Sequence, residues 1–237
     1  MIDLCDVLEF DSSVTNVSIS CNDNSIKEHE NIVYKVAMAM KKWDKKNNGI
    51  SINIIKNIPV GSGLGGGSSN AATTILALNK LWSLELSNTE LLGIGRTIGA
   101  DVPFFIEGQN AFAKGIGDIF INKDVISEKL VIIDPKIFNS SRKMFEKYDS
   151  RKIDNYIDNK FLQNSFWQIF LDENPDVLSF YKKNINDFEI CLSGSGSSMF
   201  IKYNNDNEME KILKIIPTNW RFFLAKPLQY SPLREFG

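Results

Sequence analysis

The 237-residue chain has few of the residues that hold metals and disulfides. It contains three cysteines, Cys5, Cys21 and Cys191, without a Cys-x-x-Cys pair, and one histidine, His29. A zinc site of ordinary spacing and a disulfide framework are therefore excluded, because each needs several such residues at short intervals. Scattered thiols are typical of a reducing compartment, so we expect a cytoplasmic protein.

The sequence also lacks a large excess of either charge and any long apolar run. Its 27 basic and 29 acidic residues give a formal net charge of −2, which offers no general attraction for nucleic acid or an anionic membrane. No apolar run is long enough to span a bilayer, and Met1 is not followed by the basic-then-apolar order of a signal peptide. We therefore expect small-molecule partners, without nucleic acid or membrane.

Hydrophobic periodicity predicts a mixed α+β protein. Hydrophobic residues make up 43% and charged residues 24% of the chain, as in ordinary globular proteins. Period-2 alternation predicts strands at 2–10, 15–21, 50–55, 111–113, 130–133, 188–192, 199–203 and 220–226. Helical spacing predicts helices at 31–43, 70–82, 87–98, 161–170, 177–181 and 205–216. The elements after residue 136 favour a small α+β domain with an antiparallel sheet.

A glycine-rich loop lies between the predicted strand at 50–55 and the next predicted helix. It carries five glycines in the seven positions 61–67, followed by Ser68, Ser69 and Asn70 as candidate helix caps. Glycine permits positive φ and close approach of the backbone to a ligand. A helix beginning near Ser69 would add unpaired N–H groups and a positive dipole end. The loop therefore predicts an anion site, with phosphate as the first candidate, in preference to a surface linker.

This loop does not match the commonest nucleotide motifs. Gly61-x-Gly63-x-x-Gly66 fits the dinucleotide fingerprint, but no strand ending in an acid follows, since Glu85 falls between two predicted helices. The Gly-Lys-Ser/Thr of a Walker A loop and the His-Arg-Asp and Asp-Phe-Gly of protein kinases are also absent from the sequence. A dinucleotide-dependent oxidoreductase is therefore an alternative that rests on the weak glycine match alone.

Asp101 stands in a short segment after the helix predicted at 87–98. By spacing alone, an aspartate shortly before a proline, here Pro103, most often caps a turn or a helix. If the preceding helix folds back against the glycine loop, the same carboxylate would reach the anion site. The residues alone leave both interpretations open.

Residues 59–72 resemble the P-x-G-x-G-L-G-S/G-S-S-x-A signature of the GHMP kinase superfamily. The extra glycines and the Ser-Ser-Asn-Ala-Ala-Thr ending are similar to the branch that phosphorylates 4-diphosphocytidyl-2-C-methyl-D-erythritol. Further segments match that branch in order, over nearly the whole chain: 31–33, 99–105, 111–118, 192–197 and 231–233.

The resemblance implies a small-molecule kinase with the two-domain α+β GHMP kinase fold. The implied domains are an ATP-binding domain at 1–132 and a ferredoxin-like α+β domain at 133–237. ATP with Mg²⁺ would phosphorylate the 2-hydroxyl of 4-diphosphocytidyl-2-C-methyl-D-erythritol, in the non-mevalonate isoprenoid pathway. Asp101 matches the catalytic aspartate, and the turn at 193–198 would line the cleft of a monomer or weak homodimer. The implied ATP-binding residues are Pro59, Val60, Gly61, Ser62, Gly63, Leu64, Gly65, Gly66, Gly67, Ser68 and Ser69; no dedicated metal ligand is implied.

The chain departs from the family pattern at one place. Family members begin with a strand carrying a lysine and an asparagine, then a Gly-Tyr-His segment, and neither has a counterpart among the 237 residues. From this we expect the N-terminal domain to lack its first strand, and the chain by itself to be poorly soluble with little kinase activity. The alternative functions are an impaired nucleotide-binding homologue and a GHMP kinase acting on another small alcohol.

Overall fold

The computed structural model describes residues 1–114, 119–125, 127–150 and 164–236, with an α+β architecture as the periodicity predicts. None of the helices in these ranges is long and apolar enough to cross a membrane. The elements in chain order are β1 (Val7–Asp11), β2 (Val17–Cys21), α1 (Ile32–Met40), β3 (Ile50–Ile55), α2 (Gly66–Leu81), α3 (Asn88–Ile98), α4 (Val102–Glu107), β4 (Ala111–Lys114), β5 (Ile119–Asn122), β6 (Lys129–Asp134), α5 (Ser141–Ser150), α6 (Trp167–Glu173), α7 (Pro175–Asn184), β7 (Cys191–Leu192), β8 (Met199–Tyr203), α8 (Asp206–Ile215) and β9 (Arg221–Ala225).

The first sheet places the end of β3 beside the glycine loop. Its strand order is β1-β3-β2, with β1 antiparallel and β2 parallel to the central β3. The alternating Ile50, Ile52 and Ile54 point to one face and are almost fully buried, in one core with α1, α2 and α3. The predicted face of the helix after the loop, from Ala71 to Trp82, is buried in the same core.

The second sheet is antiparallel, as predicted, in the order β7-β8-β6-β9. One of its faces packs on α5, α6 and α7 through large side chains such as Trp167 and Phe170. β6 pairs with β8 and β9, so that the predicted domain boundary at 132/133 falls inside a strand of this sheet. The division into two domains stays a prediction.

Some predicted boundaries differ from the structure. β1 begins at Val7 instead of residue 2, because the first residues pair with the chain after β9: Ile2 forms a bridge with Pro227. α1 ends at Met40, and Trp43 is 38% exposed. Strand β5, which pairs with the predicted strand β4 in a hairpin, and helix α5 were not predicted. Residues 161–163 of the helix predicted at 161–170, and 115–118 of the matched segment 111–118, lie outside the described residues.

The start of α3 confirms the capping box predicted at Ser87. The Ser87 hydroxyl accepts a hydrogen bond from the Glu90 N–H at 3.4 Å, and the Glu90 carboxylate accepts one from the Ser87 N–H at 2.8 Å. The carboxylate also accepts from the Ser87 hydroxyl at 2.7 Å. These bonds from Ser87, with the hydroxyl contributing most, lower the pKa of Glu90. Their contribution to folding is present at neutral pH and is lost as the pH falls through that lowered pKa.

Replacing Ser87 by alanine is expected to destabilise the fold by about 0.5–2 kcal/mol at pH 7, the usual cost of losing an N-cap. Because protonated Glu90 no longer accepts these bonds well, the difference from the parent chain should shrink at pH 3. Urea unfolding at both pH values measures it, with the exposed neighbour Thr89→Ala as control. A loss of equal size at both pH values would contradict a role for the ionised capping box.

Candidate functional site

The glycine loop borders a cavity of about 860 Å³, within the range of small-molecule sites. Residues 59–68 and Asp101 line it from one side, and Gly194 and Ser195 line it from the other. Ten of the eleven predicted ATP-binding residues thus share one cavity with the predicted catalytic aspartate. The eleventh, Ser69, lies instead at a neighbouring cavity of about 500 Å³.

Three glycines of the loop have the left-handed conformation that glycine favours. Gly61, Gly63 and Gly65 have φ of 65°, 74° and 71°. Gly63 also leaves no room for a side chain, because a Cβ built there would lie 2.3 Å from the carbonyl oxygen of Ser193. The backbones of the loop and of the turn at 193–198 are therefore in direct contact.

Helix α2 begins at Gly66, earlier than the predicted start near Ser69. Its first residue is Gly66 and its N-cap is Gly65, so Ser68, Ser69 and Asn70 lie inside the helix and do not cap it. The Ser69 N–H donates to the Gly65 carbonyl at 2.9 Å, as the first closed turn of the helix. In the described part of the chain, the N–H groups of Gly66, Gly67 and Ser68 have no hydrogen-bond partner. Free donors at the positive end of a 16-residue helix suit an anion.

Hydrogen bonds from the second half of the chain hold the loop carbonyls. The Asn139 N–H donates to the Gly61 carbonyl and the Ser198 N–H to the Ser62 carbonyl, both at 2.9 Å. The Ser193 hydroxyl donates to the Gly63 carbonyl at 3.0 Å. These three oxygens are thereby satisfied, which favours a fixed loop whose exposed polar groups toward the cavity are donors.

Asp101 occupies the N-cap position of α4, but its side chain makes no capping hydrogen bond in the described structure. The residue is exposed and lines the cavity. Helix α4 is close to the loop, because a Cβ built on Gly65 would lie 2.9 Å from the ring of Phe105. The packing of α4 on α2 thus gives Asp101 its place beside the glycine loop.

Lys56 is a site residue that the sequence interpretation missed. It follows β3 directly and, with Asp101, supplies the charged groups among the described residues that line the cavity. Its side chain is 9% exposed and forms an ion pair with Asp6, whose side chain is fully buried. Its position in the sequence could have indicated this role. Lys56 stands between the alternating strand and the glycine loop, and a side chain at the end of that strand lies next to the loop.

A second missed group comes from α5. Ser141, Phe145 and Tyr148 stand at helical spacing i, i+4, i+7 and line the cavity together. The Ser141 and Ser195 hydroxyls are hydrogen-bonded at 2.8 Å, and Phe145 packs edge-on against Phe166. The i, i+4, i+7 spacing of these three residues could have predicted the helix. It was overlooked because the region is rich in lysine.

Comparison with known proteins agrees with this geometry. Residues 31–109 match the family model described as GHMP kinases N terminal domain. The 4-diphosphocytidyl-2-C-methyl-D-erythritol kinase of Francisella philomiragia is 32% identical over 97% of this chain and 86% of its own length. The protein of the same name from Tolumonas auensis is 31% identical over 98% of this chain and 84% of its own length.

Solved structures show the same fold. A crystal structure of 4-(cytidine 5'-diphospho)-2C-methyl-D-erythritol kinase matches with a TM-score of 0.77 at 24% identity, over 94% of this chain and 86% of that one. The Methanococcus jannaschii mevalonate kinase matches with a TM-score of 0.70 at 15% identity, over 96% and 90% of the two chains. The protein therefore has the GHMP kinase fold and belongs to the 4-diphosphocytidyl-2-C-methyl-D-erythritol kinase family.

Proposed function

We propose that this protein is an ATP-dependent kinase that phosphorylates the 2-hydroxyl of 4-diphosphocytidyl-2-C-methyl-D-erythritol in the non-mevalonate isoprenoid pathway. The relatives named for this activity cover nearly the whole chain. The observation that supports it best is the shared cavity, in which free N–H groups at the start of α2 and the Asp101 carboxylate face one space.

In this proposal the glycine loop and the first turn of α2 bind the triphosphate of ATP. The unpaired N–H groups of Gly66, Gly67 and Ser68 donate to phosphate oxygens, and the helix dipole favours the negative charge. Phosphoryl transfer depends mainly on positioning and charge stabilisation, so that few catalytic side chains suffice. Asp101 accepts the proton of the attacking hydroxyl or orients that hydroxyl in line with the γ-phosphorus.

Magnesium is part of this proposal. In the described ranges no group of three His, Cys, Asp or Glu side chains could hold a metal ion. An ion that arrives with ATP needs only one or two protein oxygens, because phosphates and waters supply the rest. The Ser68 hydroxyl at the cavity wall fits this need. Bound there, Mg²⁺ would neutralise charge on the transferring phosphate.

The remaining proposed properties are localisation, partners and oligomeric state. We propose a cytoplasmic protein that acts as a monomer or weak homodimer on small molecules, without nucleic acid or membrane partners. The formal net charge of −2 supports partners other than nucleic acid and membranes, and the three scattered cysteines support a reducing compartment.

A kinase assay on the purified protein tests the proposed function. With ATP, Mg²⁺ and 4-diphosphocytidyl-2-C-methyl-D-erythritol we expect ADP release that depends on the alcohol substrate. A rate of about 1–100 s⁻¹, the usual range of kinases, would contradict the low activity expected from the sequence alone. Phosphorus NMR of the product should show a new phosphate monoester on the 2-hydroxyl. Turnover only with mevalonate or homoserine would favour a kinase for another alcohol. ATP binding without turnover would favour the impaired homologue, and binding of NAD instead of ATP would favour the oxidoreductase.

A further inference from the structure

We infer that Asp6 is a positioning residue for the phosphate-binding loop: its one carboxylate fixes both ends of the loop and holds Lys56 at the cavity wall. This inference rests on the proposed function of the loop. It concerns a residue that does not itself line the cavity described for the nucleotide, although it lies directly behind that cavity's wall.

The contacts of Asp6 are unusually complete. Its side chain is fully buried, directly before β1. One carboxylate oxygen accepts hydrogen bonds from the N–H groups of Asn57 and Ile58, each at 2.8 Å. The other oxygen accepts from the side-chain amide of Asn70 at 2.8 Å and forms the ion pair with Lys56. A buried carboxylate with four donors is stable because every desolvated lone pair has a partner.

These donors lie on both sides of the glycine loop in the sequence. Asn57 and Ile58 form its entry, and Asn70 lies inside α2, just after the unpaired first turn. A glycine-rich segment has many accessible conformations, so its bound geometry must be imposed by what holds its ends. Asp6 supplies such a clamp from the segment directly before β1.

Asp6 also determines where the positive charge of Lys56 lies. A Cβ built on Gly66 would be 3.2 Å from the Lys56 ammonium, which places this charge against the first residue of α2. Without the Asp6 carboxylate the ammonium would lose its buried partner and move, and the field at the anion site would change with it.

Asp6→Asn is the primary test, with Asp134→Asn as the matched control. Asp134 is also buried, at 1% exposure, and it accepts hydrogen bonds from Arg221 and from the Lys136 N–H, but it does not line the cavity. Both variants remove a buried charge, so both should lower the melting temperature. We expect Asp6→Asn alone to raise the KM for ATP by about tenfold or more, as for loss of a charge-assisted hydrogen-bond partner.

Hydrogen exchange of the nucleotide-free protein separates this inference from the proposed function. We expect the amides of residues 60–70 to exchange faster in Asp6→Asn and at the parental rate in Asp134→Asn, below both melting transitions. If the parent protein proves not to be a kinase, faster exchange of the loop still supports the clamp. Loop exchange and KM in Asp6→Asn that match those of Asp134→Asn would overturn it.

A milder variant keeps the test valid if Asp6→Asn does not fold. Asn70→Ala removes one of the four donors and leaves the ion pair of Asp6 with Lys56 in place. We expect faster exchange at residues 66–69 and a KM for ATP raised by about threefold, less than in Asp6→Asn because the carboxylate keeps its other three donors. Asn79→Ala is its control, because Asn79 lies on the same helix and bonds instead to the backbone of Leu86. Equal behaviour of the two variants would overturn the inference.

Discussion

Replacing Asp101 by asparagine is expected to lower the kcat of phosphoryl transfer by about 10²–10⁴, the usual loss for a general base. The affinity for ATP should stay nearly the same, because the amide keeps the shape of the side chain and the loop donors are untouched. Steady-state kinetics gives kcat, and calorimetric titration with ATP gives the affinity. The change would then lie in the transition state and not in nucleotide binding.

The matched control for this variant is Glu107→Gln at the other end of α4. Glu107 is exposed and its recorded contact is a 3.4 Å hydrogen bond from Asn88, so we expect unchanged kcat. Normal turnover in Asp101→Asn would return this residue to a structural role at the start of α4. Equal losses in both variants would point to disturbance of the helix instead.

Valine at Gly63 is expected to abolish detectable ATP binding. The φ of 74° at this position is strained for a β-branched residue, and the new Cβ would overlap the Ser193 carbonyl at 2.3 Å. The loop and the start of α2 must then shift together. Gly65→Val should act in the same direction through its φ of 71° and its contact with Phe105. Calorimetric titration with ATP measures the loss, and circular dichroism verifies the fold.

Gly93→Ala is the control for these glycine variants. A Cβ built on Gly93 meets nothing within 4 Å, and the residue lies inside α3, so alanine should stabilise the protein by about 0.4–1 kcal/mol and leave ATP affinity unchanged. Gly66, in contrast, is helical, so valine there would act by crowding Ile58 and not through positive φ. Unchanged ATP affinity in a folded Gly63→Val variant would show that this loop is not the phosphate site.

The sequence by itself determined the local order of the site. Alternating isoleucines in β3, the glycine run and the apolar face of α2 are each encoded within a few residues, and the structure shows them as predicted. The capping box at Ser87 is equally local. Segments that match the family are also spread over nearly the whole chain. For this reason membership in the family could be predicted before any fold was known. The expected low solubility and low kinase activity of the chain by itself stay predictions.

Only the tertiary structure decided which distant residues meet the loop. Backbone contact between Gly63 and the Ser193 carbonyl, and the clamp of Asp6 on Asn57 and Asn70, join positions that are far apart in sequence. Such contacts depend on packing and hydrogen-bond partners supplied by other elements, and no periodicity within one segment records them. The same reason explains why Lys56 was not predicted as a site residue. A lysine after a strand is common in sequences, and only the fold shows that the buried Asp6 carboxylate lies beside it.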